Sequence, residues 1–211
     1  MRHVIVATFA FAALSAQATV LDFAGAICSA NTDGSGSFGA CSNFQPINQA
    51  YGDSSSVDVT YQASPGSPAS MYYWTDSYSG LNAVAFGDSG SGVPTILIVP
   101  TAGNVVTLGG FDIGSWPNST RNSQVTVIDL ASGIKLVNTG TIAIPGDAPS
   151  SFSINATSSG GFSIAFGPEG YNVGIDNIAF TTAPVPEPGT WALMALGLAG
   201  LACAARRRHR D

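Results

Sequence analysis

Residues 173–180 read Val173-Gly174-Ile175-Asp176-Asn177-Ile178-Ala179-Phe180. The apolar positions run Val173, Ile175, then skip to Ile178 and Phe180. Side chains of a β-strand alternate between its two faces, so these four cannot share one face unless an extra residue is inserted. A bulge at Asp176-Asn177 would restore the phase. The stretch predicts a long strand, buried on one side and interrupted near its middle.

The same period of two recurs upstream. Val57, Val59 and Tyr61 alternate with Asp58 and Thr60, and Val125 and Val127 flank Thr126. Phe152 and Ile154 alternate with serines, and Phe162, Ile164 and Phe166 with Ser163 and Ala165. Such runs are half-buried strands with one wet face. Gly, Pro, Asn and Ser punctuate them at short intervals, as in Pro65-Gly66, Ala131-Ser132-Gly133, Pro145-Gly146-Asp147 and Ser159-Gly160-Gly161. No apolar stripe of helical period appears between residues 19 and 183. The expectation is all-β: a single antiparallel β-sandwich domain over residues 19–183, of jelly-roll type.

Charge narrows the function. The chain of 211 residues carries a formal net charge of −6. Between residues 19 and 183 only Arg121 and Lys135 are basic, against eleven acidic residues, a net of −9. A nucleic-acid backbone needs clustered Lys and Arg, so nucleic acid is excluded as a partner. Anionic membrane surfaces are similarly disfavoured.

Histidine narrows it further. His3 and His209 are the two in the chain, and neither falls within 19–183. That removes Ser-His-Asp and Cys-His catalysis and every His-ligated metal from the domain. Lys135 reads as the solvent face of a strand. Ten aspartates and Glu169 leave room for a carboxylate pair of the glycosidase kind, but no spacing selects two of them. The reading is a non-enzyme, with a carboxylate-dependent glycosidase as the less favoured option. Gly34-Ser35-Gly36-Ser37 and Gly90-Ser91-Gly92 are loops, since no Lys-Ser/Thr and no helix follows them.

Cys28 and Cys41 form an isolated pair with 13 residues of separation in a domain expected to be exported, where a disulfide is the default and two free thiols the alternative. The aromatic run Met71-Tyr72-Tyr73-Trp74, with Tyr78, must bury about half of itself, so core packing is the role expected for most of it. Trp74 and Trp116 are the candidate sugar-stacking residues.

Both ends are hydrophobic. Met1-Arg2-His3, the apolar stretch 4–14 and Ala16-Gln17-Ala18 have the form of a secretory signal peptide over 1–18, delivered to the Sec translocon and cut by signal peptidase after Ala18. At the other end Val185-Pro186-Glu187-Pro188 precedes an uncharged run over 189–205, then Arg206-Arg207-Arg208-His209-Arg210. As a helix the run spans roughly 25 Å, slightly short of a ~30 Å hydrocarbon core. The arginines would hold residues 206–211 in the cytoplasm and leave the domain outside. Pro186 and Pro188 keep the approach to the membrane extended.

The order Pro-Glu-Pro, apolar helix, Arg-rich end over 184–211 resembles the PEP-CTERM sorting signal of Gram-negative bacteria, also known as an ice-binding protein C-terminal domain. The resemblance implies recognition by exosortase through Val185, Pro186, Glu187, Pro188, Arg206, Arg207 and Arg208. It implies transient residence in the inner membrane, removal of the tail, and delivery to the cell surface or an exopolysaccharide matrix such as a biofilm. The name of the tail does not make the domain an ice binder, which would need a flat, regular array of threonines that the sequence does not repeat.

The Ile175-Asp176-Asn177-Ile178 ending, with Leu108-Gly109-Gly110-Phe111-Asp112 and Val125-Thr126-Val127 upstream, is similar to the closing pattern of exported jelly-roll domains of the galactose-binding or carbohydrate-binding type. That resemblance implies a structural Ca²⁺ near the early and final strands, with carboxylates from Asp22 and Asp176. The competing role for Asp-Asn at a bulge is to satisfy its own backbone. The expected function is an exported, sorted protein with a structural or adhesive sandwich, and a carbohydrate-binding module is the alternative.

Overall fold

The strand over residues 173–184 carries the expected bulge, and the rest of the sandwich is arranged around it. The computed structural model describes residues 16–88, 90–185 and 196–201. Among these the strands are β1 (Gln17–Leu21), β2 (Gln45–Pro46), β3 (Val57–Gln62), β4 (Tyr72–Tyr78), β5 (Leu81–Phe86), β6 (Thr95–Pro100) and β7 (Asn104–Ser115). They continue with β8 (Arg121–Asp129), β9 (Lys135–Asn138), β10 (Ile142–Ile144), β11 (Ser150–Ser158), β12 (Phe162–Gly167) and β13 (Val173–Pro184).

Two antiparallel sheets result. One has the order β11-β7-β13-β5-β4-β2, with β1 also on β13, and the other the order β10-β8-β12-β6-β3, with β9 also on β8. The strand β13 pairs with β7 along its length. Its opposite edge changes partner: Gly174 and Ile175 pair with β5, whereas residues 178–182 pair with β1. The register shifts between Asp176 and Ala179, and Asn177 sits at φ 54°, a conformation asparagine tolerates. The insertion does what the sequence demanded, for Val173, Ile175, Ile178 and Phe180 are all buried.

The inward faces meet in one core that includes Phe23, Tyr61, Ile96, Ile98, Leu108, Ile113, Val125, Val127, Phe162, Ile164 and Phe166. The aromatic run splits as a strand must. Met71 and Tyr73 enter this core, while Tyr72 and Trp74 point away from it into a second cluster with Tyr78, Leu81, Val84 and Phe86.

The second cluster exists because the β4–β5 hairpin folds over the outer face of its own sheet. Two glycines permit the approach: a Cβ on Gly114 would lie 2.4 Å from Tyr78 O, and one on Gly174 2.7 Å from Val84. The hairpin tip is tied down by Ser79, whose hydroxyl donates to Pro145 O at 2.6 Å and accepts from the Ser115 N–H at 2.8 Å. The Ser79 N–H donates to Asn118 Oδ1 at 3.0 Å.

Cys28 and Cys41 are joined in a disulfide that closes the loop preceding β2. The two ends of the sandwich chain lie side by side, since Gln17 pairs with Thr182 and Ala18 with Thr181. The first strand thus takes in the last two residues of the expected signal peptide; the remainder of that segment, up to residue 15, lies outside the described residues. Of the expected membrane run over 189–205, residues 196–201 are helical with exposed leucines, and the rest lies outside the described residues. No helix among the described residues is long and apolar enough to cross a membrane.

Candidate functional site

The gap that opens where β13 exchanges β5 for β1 is a cavity of about 310 Å³, lined by Asp22, Ala24, Gly80 to Ala83, Asp176 and Asn177. Asp22 stands immediately after β1 and Asp176 on the bulge, so the exchange of strand partners brings the two expected carboxylates to one hollow. Asp22 Oδ1 accepts from the Ala24 N–H at 3.1 Å and from the Tyr51 hydroxyl at 3.3 Å. Asp176 is buried, and its Oδ1 accepts from the Asn177 N–H at 2.7 Å. The second oxygen of each has no donor among the described residues.

Burial pushes the Asp176 carboxyl up to about 7; the Asn177 N–H opposes this, and the neighbouring charges of Asp22 and Asp112 add to it. Asp112, opposite Asp176 on β7, was not singled out as a site residue in the sequence. Both of its oxygens are engaged, one by the Ser151 hydroxyl at 2.6 Å and the other by Asn177 Nδ2 at 2.9 Å. An all-oxygen donor set of this kind suits a hard cation, which takes six to eight oxygens. The carboxylates do not complete such a shell, and among the described residues no group of three or more His, Cys, Asp or Glu is placed to hold a metal.

The second candidate lies on the outer face of the β4–β5 hairpin. Trp74 and Trp116 come together there, with ring centroids 6.0 Å apart at 74°. Phe44 covers Trp74 edge-on at 4.7 Å and is 47% exposed, and Tyr171 stands against Phe86 at 5.5 Å. Edge-to-face rings favour packing on one another over presenting a flat platform. The indole Nε1 of Trp74 is buried without an acceptor, so it does not reach outward. Beside the cluster Arg121 donates to Trp116 O at 2.8 Å and approaches Glu169 at 4.0 Å. Phe44 and Tyr171 sit in irregular segments whose sequences carry no period that would have identified them.

Val185, the first residue of the expected sorting motif, is half exposed and donates its N–H to Gly103 O at 2.8 Å. Pro186, Glu187, Pro188, Arg206, Arg207 and Arg208 lie outside the described residues.

Comparison with known proteins bears on this end of the chain. Residues 184–208 match the PEP-CTERM protein-sorting motif. No curated protein matches the chain. Among solved structures, the chain is similar to a Podospora anserina GH26-CBM35 β-(1,4)-mannanase, at 17% identity and a TM-score of 0.31, over 64% of this chain and 29% of that one. The chain therefore corresponds to less than a third of that protein.

Proposed function

We propose that this chain, which carries a PEP-CTERM protein-sorting motif, is an exported protein whose β-sandwich is delivered beyond the inner membrane and sorted there by exosortase. The motif carries the reading. Its Pro-Glu-Pro follows one residue after the end of β13, so folded domain and recognition segment adjoin. The uncharged run 189–205 tethers the protein with residues 206–211 in the cytoplasm, until the tail is removed and the sandwich joins the surface or exopolysaccharide matrix.

The sandwich is of jelly-roll type in this reading. What supports it is the strand order β5-β13-β7-β11 in one sheet and β6-β12-β8-β10 in the other. The chain crosses between sheets at each step from β5 to β8 and again from β10 to β13. Its role is structural or adhesive rather than catalytic, which accords with the lack of histidine between residues 19 and 183. A structural Ca²⁺ held by Asp22 and Asp176, with backbone or water oxygens completing the shell, belongs to the same reading. The two donorless carboxylate oxygens at one hollow support it.

Fractionation of cells with and without an exosortase gene tests the proposal. The protein is expected to leave the inner membrane in the first case and to accumulate there in the second. A carbohydrate-binding role is the second reading, favoured by the contact of Trp74 with Trp116 beside an exposed Phe44. Retention on exopolysaccharide that Trp116→Ala and Phe44→Ala both abolish would support it.

A further inference from the structure

The end of the sandwich from which the tail departs carries three exposed large apolar side chains. Here the β6–β7 turn, the start of β1, the end of β13 and the β8–β9 turn converge. Gly103 O holds the Val185 N–H, and Thr101 donates its N–H to Ser56 O and its hydroxyl to Ser55 O. The β8–β9 turn reaches the same end through Leu130, whose N–H donates to Gly161 O at 2.9 Å, and through Asp129, which accepts from the Ser158 hydroxyl. Ser158 in turn pairs with Val106, which pairs with Thr182.

On that turn Leu130 and Ile134 are exposed, by 41% and 60%, and so is Leu136 at the start of β9, by 39%. Lys135 stands between the last two, exposed and without an ion partner among the described residues. It is one of the domain's two cations, and the other, Arg121, lies beside Glu169. Three carboxylates, Asp88, Asp147 and Glu169, sit in connections at the opposite end, and Asp76 lies on β4 close to its hairpin tip. The one acidic residue in the turn itself, Asp129, is engaged by the Ala131 N–H and by the Ser132 and Ser158 hydroxyls. Those neutral donors hold Asp129 ionised beside Lys135, and Asp58, exposed on β3 one step from the Val57–Pro100 pair, stands at the same end.

The leash is short. Val185 is pinned to the fold, and three residues separate it from the apolar run that begins at Gly189. Four extended steps span at most about 14 Å. The headgroup layer is itself roughly 5–8 Å thick, so a sandwich on this leash has its tail-bearing end against the lipid.

The geometry points to the β8–β9 turn as a lipid-contacting foot: Leu130, Ile134 and Leu136 seat in the headgroup region of the bilayer while Lys135 meets lipid phosphate. The foot fixes how the tethered domain stands on the membrane. It rests on the reading that residues 189–205 are the tether.

Fluorophores at Ile134→Cys and, at the opposite end, Ala148→Cys test this in the full chain carrying Cys203→Ser. The protein is reconstituted into vesicles of phosphatidylethanolamine and phosphatidylglycerol. Iodide should quench the label at 148 at least about threefold more than the label at 134, and brominated lipid should quench only the latter. Leu130→Ser with Leu136→Ser should remove the protection at 134. Equal iodide quenching at both sites in chains that float with the vesicles would overturn the foot and leave the tether standing. Chains that do not float with the vesicles would overturn the tether and the foot together.

Discussion

Asp176 and Asp112 face each other across the β7–β13 pairing, one buried with a donorless oxygen and the other held by Ser151 and Asn177. A carboxylate buried as Asp176 is ionises at a cost unless a cation offsets it. Burial, with the two neighbouring charges, raises Asp176 from 3.8 to about 7 in the folded protein. An acid raised on folding contributes stability while protonated, fully below about pH 4, and loses that contribution as pH climbs towards 7. In chelator, Asp176→Asn should therefore melt above the parent protein at pH 8, by a few degrees for each kcal/mol or so relieved, and level with it at pH 4. Thermal melts at the two values check this, and an equal difference at both would refute the assignment.

Calcium should reverse that penalty. If Asp22 and Asp176 hold a cation, millimolar Ca²⁺ stabilises the folded state by RT ln(1 + [L]/Kd), about 2.7 kcal/mol at a hundredfold excess over Kd. The melting temperature should rise in the parent protein and stay fixed in Asp22→Asn. A parent protein indifferent to Ca²⁺ would remove the ion from the account.

Gly114→Ala should be among the costliest small substitutions. The new methyl would sit 2.4 Å from Tyr78 O, a backbone atom on a tip already tied to Pro145 and Ser115. Overpacking of this kind costs typically about 1–3 kcal/mol. Gly90→Ala, which meets nothing within 4 Å, serves as the control. Urea unfolding of the two variants measures the difference, and comparable midpoints would show that the hairpin does not press on β7 as described.

Reducing the Cys28–Cys41 bond should lower stability by roughly 3 kcal/mol, the loop-closure contribution for 13 residues of separation. Melting with and without reductant reads this directly. Cys28→Ser/Cys41→Ser should match the reduced protein and lose the response to reductant.

The parts of the fold legible in the sequence were those written in local phase. The skip from Ile175 to Ile178 located the bulge because a strand has only two faces and a buried one tolerates no slip. Phe162 to Phe166 and Val57 to Tyr61 declared themselves in the same way. The folding of the β4–β5 hairpin over its own sheet was not legible. Its determinants, Gly114 and Gly174, lie far along the chain from Tyr78 and Val84, and a lone glycine in a strand does not say what approaches it.

For the site, Asp22 and Asp176 were found through a resemblance and reach one cavity, but Asp112 was missed because its pairing with Asp176 is a matter of register alone. The contact of Trp74 with Trp116 followed from the same hairpin. Phe44 and Tyr171, on irregular segments, left no pattern to read. The β8–β9 foot was equally hidden, since Leu130, Ile134 and Leu136 acquire meaning only once the turn is seen at the tail-bearing end.

The central claim is that the sorting tail is removed after export. Intact-mass spectrometry of the protein recovered from the cell surface or medium measures it most directly. The expected chain starts near Thr19 and ends close to Pro188, without Arg206 to Asp211, in cells that possess exosortase, and keeps its whole tail where the enzyme is deleted. Released protein that still ends at Asp211 would contradict it.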